Sequence, residues 1–170
     1  GADLRLDALY ANDENAKGFF EHPAIIAFDD RALARIGTAW DDPACNGAAR
    51  LTAAGLDTGH LDDLIAEGAA LVRDIFTDAP LAAVKDPRMC LLLPLWARIL
   101  GQAGYAATDI LQLHVARDPD ETARSQMLRA QATPDFYDIG RDMAEGAALW
   151  LAHAGQALDA VKIGHSNGSF

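Results

Sequence analysis

Two short stretches of this sequence combine a cation, an aspartate and a proline directly after an apolar run. Residues 85–88 read KDPR and follow "LAAV", and residues 117–119 read RDP and follow "DILQLHVA". An Asp-Pro pair is typical of a helix start, where unpaired N–H groups and the helix dipole favour an anion. An arginine adds a bidentate fork that suits phosphate. The two stretches therefore predict a site for a polyanionic ligand.

The spacing between Arg117 and Ser125 makes this prediction more specific. Ser125 lies about two turns into a helix that begins near Pro119. A helix rises by about 1.5 Å per residue, so the serine lies roughly 10 Å along the axis. An arginine and a hydroxyl placed in this way could hold one phosphate from two sides.

Apolar spacing predicts the elements that position these residues. It predicts five helices, at 23–36, 58–77, 90–104, 118–131 and 138–161. It predicts buried strands at 81–85 and 109–117, and a loop over 38–57. Strands that alternate with helices indicate a parallel α/β sheet, which binds ligands beyond the carboxyl ends of its strands. Two strands are too few for such a sheet, so we expect strands that the pattern misses or a sheet completed from elsewhere.

Composition limits the classes of function. The 170 residues suit one domain, and a hydrophobic fraction of 51% is ample for a core. A net charge of −11 argues against nucleic-acid binding and against an anionic membrane surface. Cys45 and Cys90 belong to no cysteine or histidine cluster, which favours reduced thiols in a cytoplasmic protein. The longest charge-free apolar run, 89–96, is far too short to span a membrane.

Four segments in this order resemble the bacterial sulfotransferases that use 3′-phosphoadenosine 5′-phosphosulfate (PAPS). They are "NAKGFFEHPAIIAFDDRALARIGTAWDDP", "VKDPRMCLLLPLW", "LQLHVARDPDETARSQMLRAQ" and "GAALWLAHAGQAL". The resemblance covers nearly the whole chain, up to about residue 160. It implies a single sulfotransferase domain over 1–170, with a three-layer α/β fold of the P-loop nucleotide-hydrolase type. The family's first strand and its glycine-rich phosphate loop have no counterpart here, so we expect a partial domain with an incomplete, short parallel sheet.

The resemblance also implies roles for individual residues. Arg117 and Ser125 match the family's arginine-to-serine spacing, which implies that they bind the 3′-phosphate of PAPS. Lys85 would lie near the sulfuryl group and stabilise charge on the bridging oxygen; the alternative is that it reaches solvent or pairs with Asp86. Arg88 would position the donor or an acidic acceptor, or form a structural ion pair with Asp86.

Sulfuryl transfer also needs a base that takes the proton of the acceptor. Relatives use a glutamate or a histidine from the region that follows "GFF", so Glu21 is the first candidate and His22 the second. The alternative for Glu21 is an exposed carboxylate at a helix N-terminus. The other histidines have no partners that converge on a site, and we expect no metal.

The expected function is transfer of a sulfuryl group from PAPS to a hydroxyl or amine of a small-molecule or glycan-like acceptor. Without the phosphate loop, we expect weak binding of the 3′-phosphate portion and little or no turnover. One alternative is a non-catalytic module for binding or dimerisation, so a homodimer stays open. Another is a P-loop small-molecule kinase relative. The expected partners include neither nucleic acid nor membrane.

Overall fold

The computed structural model describes residues 19–135 and 137–167, with side chains up to residue 160. This part of the chain forms six α-helices and two short 3₁₀ turns. The helices are α1 Pro23–Arg35, α2 Gly47–Ala53, α3 Asp62–Ile75, α4 Met89–Ala103, α5 Pro119–Ala132 and α6 Met143–Asn167. The 3₁₀ turns cover Leu56–Thr58 and Ala107–Asp109.

The helix starts follow the capping signals in the sequence. α1 begins at Pro23, and the Nδ1 atom of His22 accepts a hydrogen bond from the backbone N–H of Ala24 at 3.2 Å. α5 begins at Pro119, and the Asp118 carboxylate caps it. Proline suits a first helical position, where its missing N–H would have no helical partner. All five helices predicted from apolar spacing are confirmed, with bounds that shift by a few residues.

The core lies between α1, α3 and α4. The rings of Phe28 and Trp96 meet edge to face, with centroids 5.8 Å apart, and both side chains are buried. Aliphatic side chains surround this pair, in keeping with the low aromatic content. They include Ile25, Leu33, Leu64, Ile65, Val72, Leu91, Leu92, Leu95 and Ile99. The apolar stripes of the three helices thus meet in one cluster.

The expected α/β fold with a parallel sheet, of the three-layer P-loop type, is wrong. Residues 19–135 and 137–167 contain helices and a single bridge residue, Ala82, but no β-strand. The predicted strands fall largely on stretches without helix, turn or bend, at 83–86 and 110–118. A strand is stable only where a neighbour pairs with its N–H and C=O groups. Within the described ranges neither stretch has such a neighbour, so neither forms a β-strand with another described segment.

The loop predicted over 38–57 is also wrong, because it contains α2. Asn46 caps this helix, and its side-chain oxygen accepts from the backbone N–H of Ala49 at 3.0 Å. Leu51, on the inner face of α2, is buried in the core. The helix has only seven residues, too few for a periodic apolar pattern. Its cap residue was the available signal.

Gly47, the first residue of α2, lies directly against α4. Its N–H donates to Oε1 of Gln156 at 2.6 Å, and Nε2 of Gln156 donates to the carbonyl of Cys45 at 2.8 Å. A side chain of α6 therefore holds the start of α2. A Cβ atom built on Gly47 would lie 1.8 Å from the carbonyl oxygen of Leu91. Only glycine allows the two backbones to approach this closely.

We expect Gly47→Ala to lower the free energy of unfolding by about 2 kcal/mol, because α2 must move away from α4. Urea unfolding of the full chain measures this. Gly101→Ala, in the last turn of α4, is the matched control, since no heavy atom lies within 4 Å of the added Cβ. There alanine should raise stability by about 0.5 kcal/mol. Equal stability of Gly47→Ala and the native chain would contradict the close approach.

Candidate functional site

Lys85 and Glu21 form an ion pair although they lie 64 residues apart in the chain. Glu21 precedes α1 and is buried, with 8% of its surface exposed. Lys85 is about half exposed, and its Nζ atom also donates to the carbonyl of Phe19 at 3.0 Å. The structure thus brings together the first-choice base and the lysine expected at the sulfuryl end. It does not support an exposed Glu21.

His22 lies next to Glu21 in the chain but has a structural contact of its own. Its Nδ1 accepts the hydrogen bond that caps α1. A histidine that accepts through Nδ1 carries its ring proton, when neutral, on Nε2. The second candidate base therefore takes part in the start of α1.

Arg88 pairs with two aspartates at the start of α4. Its Nε donates to Asp30 at 2.6 Å and its Nη1 to Asp86 at 3.2 Å, while the guanidinium lies 5.8 Å from the ring centroid of Trp40. Only 16% of the Arg88 side chain is exposed. Burial lowers the pKa of Arg88, but the charges of Asp86 and Asp30 outweigh it and raise the pKa above its ordinary value. These contacts match the structural alternative for Arg88.

Two buried carboxyl groups lie beside this arginine. The Asp29 carboxyl accepts from the indole N–H of Trp96 at 2.9 Å, and its Oδ2 atom has no partner within the described ranges. Oδ2 of Asp86 is likewise buried without a partner there. Burial and the nearby charge of Asp86 raise the pKa of Asp29 to about 8, against smaller opposite effects of Trp96 and Arg88. Asp29 is therefore a neutral acid at physiological pH.

The role of Asp29 was not predicted from the sequence. The residue lies on the apolar stripe of α1, between core residues Phe28 and Ala32. An aspartate on the inner face of a helix is rare unless it has a partner. The position of Asp29 on an apolar stripe therefore indicates a buried hydrogen-bond partner, and the indole N–H of Trp96 is that partner.

Cys90 and His153 lie in the same neighbourhood. Burial raises the pKa of the Cys90 thiol and lowers the pKa of His153, and the charge of Asp86 acts on both groups. Nδ1 of His153 lies 3.0 Å from the carbonyl oxygen of Leu149. His153 is thus close to charged residues that the sequence did not connect with it. Cys90 and Cys45 are free thiols.

The guanidinium of Arg117 is accessible and lightly held. Its Nε atom donates to Glu121 at 3.1 Å, and both side chains are 64% exposed. An exposed pair of this kind contributes at most about 1 kcal/mol, so a stronger anion can replace it. Ser125 lies half-buried two turns into α5. The backbone carbonyl of Arg117 accepts from the indole N–H of Trp150 at 3.1 Å, which joins the start of α5 to α6.

The two Asp-Pro turns share one local arrangement. The Asp86 carboxylate accepts from the backbone N–H of Arg88 at 2.9 Å. The Asp118 carboxylate accepts from the N–H groups of Asp120 and Glu121 at 2.9 and 3.1 Å. In each turn the aspartate thus binds an N–H group that we expected to face an external anion. Asp118 is the N-cap of α5, in keeping with the preference of aspartate for helix caps, whereas the N-cap of α4 is Arg88 and Asp86 precedes it by two residues.

Phe19 links the two groups of predicted site residues. Its carbonyl accepts from Lys85, and the guanidinium of Arg129, on α5, lies 5.8 Å from its ring centroid. α5 otherwise packs mainly on α6. The Lys85–Glu21 pair and the helix that carries Ser125 therefore both contact Phe19.

Within the described ranges, no group of three histidine, cysteine, aspartate or glutamate side chains is arranged to hold a metal ion. No helix in these ranges is long and apolar enough to cross a lipid bilayer. Comparison with known proteins gives no relative: the sequence matches no family model, no curated protein and no solved structure.

Proposed function

We propose that this chain is a PAPS-dependent sulfotransferase-type protein that directs a sulfuryl group toward a hydroxyl or amine acceptor. The contact between Lys85 and Glu21 is the main support for this proposal. Resemblance assigns both residues to the reacting end of the donor, and folding brings them together across 64 residues of chain.

The proposed reaction uses these two side chains in complementary roles. Glu21 takes the proton of the acceptor as the acceptor oxygen or nitrogen forms a bond to sulfur. The bond between sulfur and the bridging oxygen of the donor breaks, and its electron pair stays on the released 5′-phosphate. The ammonium group of Lys85 stabilises that developing charge.

Arg117 and Ser125 hold the 3′-phosphate in this proposal. The exposed pair of Arg117 with Glu121 is easily exchanged for a phosphate, which offers the guanidinium two oxygens in a fork-to-fork arrangement. Asp120 and Glu121 in the first turn of α5 oppose an anion at this position. The expected binding of the 3′-phosphate is therefore weak.

Other parts of the proposal rest on composition. Two free cysteines favour a cytoplasmic protein. A small-molecule or glycan-like acceptor is proposed from the resemblance alone. The chemistry needs no metal, because a lysine and a carboxylate supply the charge and the base. The double ion pair of Arg88 supports a structural role for this residue in place of a contact to the donor.

Calorimetry with adenosine 3′,5′-bisphosphate tests the site on α5. We expect Arg117→Ala to weaken binding at least tenfold, since a hydrogen bond to a charged group contributes about 1.5–3 kcal/mol. Arg124→Ala is the matched control, because it removes the same charge from the same helix at an exposed position. That variant should bind nearly as well as the native chain. If both variants bind with the native affinity, the assignment of Arg117 is wrong.

A further inference from the structure

Two carboxyl oxygens in the protein interior have no hydrogen-bond partner within the described ranges. They are the Oδ2 atoms of Asp29, on α1, and of Asp86, in the Asp-Pro turn before α4. Asp29 and the side chain of Asp86 are both 0% exposed. Buried polar atoms almost always have a partner, so these two atoms require an explanation.

The two carboxyl groups belong to one cluster at the contact between α1 and the Asp-Pro turn. Arg88 joins the two elements, because its guanidinium donates to Asp86 in the turn and to Asp30 on α1. Oδ1 of Asp29 accepts from the indole N–H of Trp96, and Oδ1 of Asp86 accepts from the backbone N–H that follows Pro87 in the turn. Among the neighbouring charges, that of Asp86 acts most strongly on Asp29. The two Oδ2 atoms are therefore the atoms available for a direct bond between the carboxyl groups.

One proton can satisfy both atoms. Burial and the charge of Asp86 raise the pKa of Asp29 to about 8, so Asp29 is protonated at physiological pH. A protonated carboxyl group has one O–H donor, whereas an ionised one only accepts. Because Oδ1 of Asp29 faces the indole N–H, the proton lies on Oδ2. Two carboxyl groups at one site characteristically hold one proton between them, and the free Oδ2 atom of Asp86 is an acceptor for it.

We propose that Asp29 and Asp86 share one buried proton, with the Oδ2–H of Asp29 donating to Oδ2 of Asp86, and that this hydrogen bond locks α1 to the Asp-Pro turn. The bond gives both free oxygens a partner. It is short and strong, because its acceptor is charged. This inference goes beyond the proposed function and does not rest on it.

Loss of the proton makes this contact a pH-sensitive lock. As the pH rises through the pKa of Asp29, the proton leaves to solvent and two buried negative charges face each other. The guanidinium of Arg88 is their counter-charge, but it also binds Asp30. Like charges repel strongly in a medium of low polarity, so the turn separates from α1. The lock is therefore closed below about pH 8 and open above it.

Other ionisable groups of this cluster keep one charge state while Asp29 titrates. Burial raises the pKa of Cys90, on α4, and lowers the pKa of His153, on α6, so both stay neutral near pH 8. The pKa of Arg88 is raised above its ordinary value, so its positive charge persists. Asp30 is held by Arg88 as an ion pair.

Proton NMR of the full chain tests the shared proton directly. In the native chain at pH 6 we expect one signal far downfield of the amide protons, because a proton between two carboxyl oxygens is strongly deshielded. The signal should be lost in Asp29→Asn, which has no acid proton, and in Asp86→Asn, which has no charged acceptor. Asp30→Asn removes a carboxylate from the same cluster and is the matched control that should keep the signal. Its absence from the native chain, or its survival in Asp86→Asn, would overturn the shared proton.

The indole N–H of Trp96 reports the charge of Asp29. Its proton signal should move downfield with a midpoint near pH 8, because the hydrogen bond strengthens when its acceptor ionises. In Asp29→Asn the signal should not move. Asp86→Asn should shift the midpoint to a pH about 1 lower, and Asp30→Asn should shift it less, because Asp30 acts more weakly on Asp29. A midpoint that Asp86→Asn leaves unchanged would contradict the coupling of the two carboxyl groups.

Hydrogen exchange at the backbone N–H of Arg88, which is bonded to Asp86, measures the lock. Asp29→Asn is the reference, because its amide can donate to Asp86 at every pH. The native chain should exchange as fast as this variant at pH 6 and faster at pH 9. Equal rates at pH 9 would show that no lock opens. This comparison does not depend on the folding of Asp86→Asn, and circular dichroism checks that the helices of every variant are intact.

Discussion

Replacing Asp29 with asparagine is expected to raise the free energy of unfolding at pH 7 by about 2 kcal/mol. Keeping a carboxyl with a pKa of about 8 protonated in the folded state at pH 7 costs about 4 kcal/mol relative to an ordinary aspartate. Asparagine removes this cost and can still accept from the indole N–H of Trp96. Part of the gain is lost because its amide N–H groups are buried, at roughly 1–3 kcal/mol if unpaired.

The pH dependence follows from the direction of the shift. The pKa of Asp29 is raised from 3.8 to about 8, so the folded state binds the proton more tightly than the unfolded state. The stabilisation from this proton is complete below pH 4, decreases as the pH rises, and is lost by about pH 8. The difference in stability between Asp29→Asn and the native chain should therefore grow between pH 4 and pH 8 and then stay constant.

Urea unfolding at several pH values measures both effects. Asp74→Asn, at an exposed aspartate of α3, is the matched control and should change stability by less than about 0.5 kcal/mol. A difference between Asp29→Asn and the native chain that does not vary with pH would show that Asp29 is ionised in the folded protein.

Removing the side chain of Arg88 is expected to cost about 3 kcal/mol. The Asp86 side chain is fully buried, and Arg88 → Ala leaves its charge without the guanidinium that now lies 3.2 Å away. Breaking a buried ion pair from one side is costly because the remaining charge stays in a medium of low polarity. The ring of Trp40 also loses the cation beside it.

A second substitution separates charge from packing. Asp86→Asn removes the isolated charge, so the double variant Arg88→Ala with Asp86→Asn should be more stable than Arg88→Ala alone. Arg98→Ala is the matched control, because its pair with Asp57 is exposed on both sides and should contribute less than about 1 kcal/mol. Thermal and urea unfolding report all four proteins. A double variant as unstable as Arg88→Ala would assign the loss to packing.

Local signals in the sequence predicted the helices well, and the fold class poorly. The backbone hydrogen bonds of a helix form within the helix itself. The apolar spacing of α3 and the Asp-Pro cap of α5 were therefore sufficient to predict these two helices. A strand depends on a partner elsewhere in the chain, and the pattern of residues 81–85 and 109–117 says nothing about whether one is present. The sequence thus predicted extended apolar segments, and the prediction failed at the pairing step.

The candidate site, like the fold, could be predicted from the sequence only in part. Residue type and spacing selected Glu21 and Lys85, which the fold brings into contact, but could not predict that each would neutralise the other. One ion-pair partner of Arg88, Asp30, lies 58 residues away in the sequence. A local sequence pattern cannot predict a contact at that separation. Asp29 was missed because its hydrogen-bond partner Trp96 lies on another helix.

The capping aspartate of α5 has a further consequence for any phosphate that approaches this helix end. Asp118 is in effect a tethered ligand, held by covalent linkage at a high effective concentration beside the N–H groups that it binds. A free anion must therefore exchange with a carboxylate that never diffuses away. The apparent affinity of the free anion therefore reflects the difference between its own binding free energy and that of the carboxylate. Because the carboxylate already binds the free N–H groups of the helix N-terminus, less of their attraction is left for an external anion.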